Sequence, residues 1–164
     1  MRGFITAAGA MMLLALGAAP ARANNDVAAG LAEITIAAGP CFGSCPVYSS
    51  RITPIGAVRF VGTRFVAKPG EQTLTADADT FREIAEMLAP YRPTVDRRIG
   101  PEECDNFRTD APSWTVQWTD KAGATVSLAF SLGCTDMRYL PIADAIKAAN
   151  DLLPIAPLVA KPAR

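Results

Sequence analysis

Four cysteines, Cys41, Cys45, Cys104 and Cys134, are the residues of this 164-residue chain with the most chemistry to offer. Two of them stand in the string Cys41-Phe42-Gly43-Ser44-Cys45-Pro46. Paired thiols at that spacing can close a disulfide, cycle between dithiol and disulfide, or hold a Cu(I) ion through soft sulfur ligands. A redox cysteine gains its low pKa from a helix N-terminus or a neighbouring cation such as histidine. Here the string leads into a segment of strand character, and the chain contains no histidine. Met87 and Met137 are the only soft third ligands beyond the N-terminal apolar run. The cysteines are therefore read first as crosslinks, with thiol-disulfide or Cu(I) handling by Cys41 and Cys45 as the alternative.

The absence of histidine reaches further. It excludes Ser-His-Asp and Cys-His catalysis, the usual two-histidine zinc sites and imidazole copper sites. No Ser-x-x-Lys and no Gly-x-Ser-x-Gly takes their place. Glu102, Glu103, Asp105 and Asp110 offer oxygen atoms, but they lack the alternate spacing and glycine turn of a calcium loop and read as a solvated segment. No catalytic residue, cofactor or metal ligand is assigned, and the reading is of a non-enzymatic protein.

The compartment follows from the N-terminus. Arg2, an apolar run from Phe4 to Ala19 and the small-residue site Ala21-Arg22-Ala23 are the three parts of a secretory signal peptide in order, with cleavage expected after Ala23. The alanine- and glycine-rich run followed by a peptidase site speaks against a retained span, so no membrane span is expected after removal. The destination is then periplasmic or extracellular, where cysteines are oxidised. Cleavage would remove Arg2 and Arg22 and no acid from a chain of 16 basic and 16 acidic residues, leaving net charge minus two. That balance gives no electrostatic footing for nucleic acid, and the one basic doublet, Arg97-Arg98, is flanked by Asp96, Glu102 and Glu103.

The elements that must position the cysteines are short. Residues 24–30 read as a flexible start and 31–153 as one domain. Alternation predicts strands over Leu31 to Ala37, Val47 to Thr53 and Val58 to Val61, with Thr53-Pro54-Ile55-Gly56 turning between the last two. A short fourth strand is expected at Phe65-Val66-Ala67 before a turn at Lys68-Pro69-Gly70-Glu71. Phe81, Ile84, Ala85 and Leu88 fall at helical spacing after capping residues at Thr75 to Asp79, and Pro90 and Pro93 end that helix. Residues 92–112 read as irregular. Trp114, Val116 and Trp118 then alternate against Val126, Leu128 and Phe130 in a second hairpin, whose aromatic face is read as core. A second helix is expected over Tyr139 to Leu153 with Pro141 in its first turn. The proline-containing tail 154–164 reads as disordered. The order β-β-β-(β)-α-β-β-α predicts an α+β domain, a mainly antiparallel sheet packed against two helices.

Four cysteines allow three pairings. The arrangement favoured on geometry joins Cys41 to Cys45, with Gly43 letting the short loop curl, and Cys104 to Cys134 at a strand end. Closed loops of these sizes are worth about 2 and about 4 kcal/mol on the chain-entropy model.

The string Cys41-Phe42-Gly43-Ser44-Cys45-Pro46-Val47-Tyr48, with Ile34-Thr35-Ile36 before it, resembles an uncharacterised family of bacterial exported domains. The resemblance runs from about Glu33 to Leu153 and includes Gly62, the helix at Phe81 and Asp110-Ala111-Pro112. It implies the fold and treats Cys41 with Cys45 as a local unit; it implies no activity. Phe42 and Tyr48, beside the loop, are the candidate exposed contacts. The expected role is binding of another protein or an envelope component.

Overall fold

Alternation of apolar and polar residues builds a seven-stranded sheet with one buried face. The structure, a computed structural model, describes residues 25–160. Its strands are β1 (Leu31–Ala38), β2 (Val47–Ile52), β3 (Ala57–Arg64), β4 (Gly70–Thr75), β5 (Arg97–Ile99), β6 (Ser113–Asp120) and β7 (Thr125–Ser131). The helices are α1 (Asn25–Ala29), α2 (Thr80–Leu88), α3 (Leu140–Asp151) and α4 (Ala156–Val159). The strands lie in the order β4-β3-β2-β1-β6-β7-β5. All pairings are antiparallel except β5 with β7, which makes the protein an α+β domain, as its residue pattern predicts.

The register sets the core. Opposed residues share a face, so Phe60, Ser50, Ile36, Val116 and Leu128 form one row across the sheet, and Val58, Ile52, Ile34, Trp118 and Val126 the next. Phe81, Ile84, Ala85 and Leu88 of α2 and Ile142, Ile146 and Ala149 of α3 join these side chains in one cluster. The opposite face carries Glu33, Thr35, Arg51, Arg59, Gln117 and Ser127, with Arg51 bonded to Glu33 at 3.1 Å. Trp118 is fully buried and Trp114 partly so, consistent with a core rather than a stacking platform.

Both expected hairpin turns form. Gly56, at φ 75°, donates its amide to Thr53 O at 2.9 Å, and the Asp120 carboxylate accepts the amides of Ala122 and Ala124 in the second turn. Elsewhere the structure corrects the sequence reading. The fourth strand lies at Gly70–Thr75, because Phe65 turns through φ 55° and Val66 drops into the core instead of continuing a ladder. No side-chain cap bond forms at Asp79 before α2. The irregular stretch contains β5, which a three-residue run with one buried side chain, Ile99, does not announce. The start expected to be flexible includes α1. The tail read as disordered folds through Ala160: Leu153 and Ile155 are buried, α4 follows, and Leu158 O accepts the Lys68 amide at 3.0 Å. The leader expected over 1–23 lies outside the described residues.

Candidate functional site

The loop after β1 is held at both ends before its cysteines are considered. The Gly39 amide donates to Ser113 O at 2.8 Å and the Phe42 amide to Asp110 O at 3.1 Å, which ties the loop to the entry of β6. Gly43 sits at φ 140°, a conformation that side chains with a Cβ rarely adopt. Cys41 and Cys45 are joined by a disulfide with their Cα atoms 5.7 Å apart. Phe42, between the two cysteines, is 88 % exposed.

Ser44 and Pro46 of this loop also form part of a groove with a cavity volume of about 600 Å³. Leu153, Ile155 and Val159, from the end of α3 and from α4, contribute apolar lining. Phe65 lines it as well. The Tyr48 hydroxyl donates to Asn150 Oδ1 at 3.2 Å within it. Tyr48 is only 5 % exposed and packs tilted against Phe60 and edge-on to Trp114, so it is not the exposed contact expected from its position beside the loop. As one of three inward residues of β2 it is a core residue with a polar end, and burial raises its pKa above the ordinary phenol value. Of the two candidate contacts, Phe42 is exposed and Tyr48 supplies a hydroxyl in the groove.

The second disulfide, Cys104–Cys134, also has Cα atoms 5.7 Å apart and fastens the acidic loop to the chain after β7. Asp136, 6 % exposed, repeats that tie without sulfur. Its carboxylate accepts the amides of Asp105 and Asn106, each at 2.9 Å, together with Asn106 Nδ2 at 3.0 Å. These bonds, led by the Asp105 amide, lower its pKa, with Arg138 adding a smaller coulombic effect. The two sulfurs and an Asp136 oxygen lie within 4.8 Å of one another. The sulfurs are spent in a disulfide and the carboxylate is saturated by donors, so the set is a structural clamp rather than a metal centre. Glu103 accepts from Arg97 at 2.9 Å and Tyr139 at 3.2 Å, consistent with the solvated-loop reading of the acids.

Chemically, the groove can hold an apolar group beside the Ser44 and Tyr48 hydroxyls, the Asn150 amide and the Asp151 carboxylate. Among the described residues there is no helix N-terminus at Cys41 or Cys45, since Cys45 leads through Pro46 into β2, and the usual means of activating a thiol is missing there. Sequence reasoning did not find Asn150, Ile155, Val159 or Asp136. For the tail, the apolar spacing of Ile155, Leu158 and Val159 was the available signal, masked by Pro154 and Pro157. Asp136 and Asn150 act through residues far away in the chain and carry no local signal.

No helix among the described residues is long and apolar enough to cross a membrane. No curated protein matches the chain. The model of a family described as a domain of unknown function (DUF6438) matches residues 32–139, a span that holds both disulfides and six of the strands on either side of α2 in full, and the chain belongs to that family.

Proposed function

We propose that the protein is an exported, non-enzymatic domain, periplasmic or secreted, that binds another protein or an envelope component through the Cys41–Cys45 loop and the groove beside it. The observation that carries this reading is Phe42, a large apolar side chain 88 % exposed on a loop that a disulfide and two backbone hydrogen bonds hold rigid. An aromatic anchor on a pre-organised loop binds without a large ordering cost. The leader motif over residues 1–23 and two disulfides support export.

The test is crosslinking in intact envelopes, wild type against Phe42→Ala, with adducts quantified by mass spectrometry. A specific adduct whose yield falls about tenfold in the variant is expected. Equal yields from both proteins would overturn the binding role of the loop. The same digests read the export claim: the recovered chain should begin at Asn24 and contain no alkylatable thiol. An intact leader with four free thiols would overturn it.

A further inference from the structure

The strand β4 forms one edge of the sheet, and its residues Glu71, Gln72, Thr73 and Thr75 are exposed. The Ala76 amide donates to Gly56 O at 2.8 Å, beyond the pair Ala57–Thr75. In an antiparallel ladder this makes Ala57–Thr75 a non-hydrogen-bonded pair, so Gly70, Gln72 and Leu74 bond to β3 while the amides and carbonyls of Glu71, Thr73 and Thr75 point outward. Among the described residues no backbone hydrogen bond uses those six outward groups. Exposed edges are ordinarily blunted by proline, lysine, a bulge or an inward-pointing charge. β4, Gly-Glu-Gln-Thr-Leu-Thr, has none of these: its register against β3 is unbroken, and its single charge, Glu71, lies on the polar face in a two-bond contact with Arg59.

We infer that β4 is a dimerisation edge, pairing antiparallel with β4 of a second copy of this chain about a two-fold axis at Thr73. In this register Thr73 faces its own copy and Glu71 faces Thr75, so all six outward groups are used. Centring the axis on Glu71 would oppose two carboxylates. Centring it on Gln72 would bring Pro69, which has no amide hydrogen, opposite Thr75. About Thr73 the two Glu71 residues are four positions apart along the ladder, about 14 Å at ordinary strand rise, more than a screening length at physiological salt. Each is already paired with Arg59 of its own copy. The contact extends the sheet of each copy without occupying the groove or Phe42, so it is independent of the binding role proposed above.

Light scattering across a concentration series, on protein recovered from the oxidising compartment of an expression host, gives the mass, and amide hydrogen exchange locates the contact. A mass rising to twice that of one chain is expected, with the amides of Glu71, Thr73 and Thr75 becoming protected in step. Thr73→Pro removes one outward donor and leaves the β3 ladder intact, and it should be monomeric. Should that variant not fold, Thr73→Lys and Thr73→Glu replace it. Each places like charges across the axis and should self-associate about tenfold more weakly than the equimolar mixture of the two. A wild type that stays monomeric throughout, or a dimer unaffected by these substitutions, overturns the inference. So does a monomer whose β4 amides are protected only when a foreign extended peptide is added, which would give the edge to another partner.

Discussion

The Tyr48 hydroxyl and the Asn150 side chain meet at 3.2 Å, joining the strand that leaves the Cys41–Cys45 loop to the C-terminal turn of α3. The contact spans 102 positions of sequence and fixes the groove between two elements that no backbone ladder connects. Tyr48→Phe keeps the ring among Phe60 and Trp114 and removes only the hydroxyl. We expect a loss of about 0.5–1.5 kcal/mol in urea unfolding, the usual net value of one such bond. An unchanged midpoint would mean that Asn150 is equally well satisfied by water.

The same hydroxyl has a pH signature. Burial raises the Tyr48 pKa in the folded protein, so the folded state keeps its proton at pH values where the unfolded chain has begun to lose it. The contribution of the neutral phenol to stability is complete below about pH 10 and fades as pH rises through the folded value. In an absorbance titration a phenol step above the ordinary range should appear, and it should vanish in Tyr48→Phe.

The two disulfides differ in the lengths of chain they close, with sequence separations of 4 and 30. Replacing Cys104 and Cys134 by Ser should therefore cost about 4 kcal/mol and replacing Cys41 and Cys45 about 2 kcal/mol on the chain-entropy model. The shorter bridge nonetheless sets the presentation of Phe42. Its removal should lower crosslinking yield out of proportion to its effect on unfolding, whereas the Cys104–Cys134 variant should show the reverse. Parallel losses in both assays would separate Phe42 from the loop that carries it.

What the sequence discloses of this fold is what local pattern can encode. The alternation of Trp114, Val116 and Trp118 against Val126, Leu128 and Phe130 specifies a hairpin because its period of two is carried by the residues themselves. β5 is different: its strand state comes from a parallel pairing with β7 about 30 positions away, and Arg97-Arg98-Ile99 has no alternation of its own. Tyr48 failed as an exposed contact for a related reason, since its proximity to the loop in sequence says nothing about which face of β2 it occupies. Its alternation with Ser50 and Ile52 placed it on the inward face, and that signal carried more than the proximity did. The tail is ordered despite Pro154 and Pro157, because proline is well accommodated in a first helical turn, where α4 holds one.

Gly133, just past the end of β7, lies against the backbone of Arg108. Arg108 donates its amide to Gly133 O at 2.8 Å, and a Cβ added at Gly133 would stand 2.1 Å from Arg108 O. The obstructing atom is backbone, so it cannot rotate away. Gly133→Ala should cost about 1–3 kcal/mol and slow closure of the neighbouring Cys104–Cys134 bridge during oxidative refolding. Gly30, with nothing within 4 Å of an added Cβ, is the control and should tolerate alanine. Equal behaviour of the two variants would show that the loop moves aside at no cost.

Asp136 gives the acid-side counterpart of the Tyr48 titration. The amides of Asp105 and Asn106 hold its carboxylate below the ordinary value near 3.9, so at neutral pH the ionised group contributes fully to the folded state. As pH falls below the unfolded value, the unfolded chain takes up its proton first, and the contribution fades until the folded carboxyl is also protonated. Glu71 and Glu103, lowered by Arg59 and Arg97, add to the wild-type acid sensitivity, so the share of Asp136 must be read by difference. Asp136→Asn keeps an acceptor oxygen but not the charge. Its melting temperature should lie below that of the wild type at neutral pH, and the gap should close as pH drops below about 4. Because Asp136 and the Cys104–Cys134 bridge tie the same loop, the neutral-pH gap should widen once that disulfide is replaced by serines. A gap independent of both pH and the disulfide would mean that the carboxylate stabilises its own turn and not the loop it reaches.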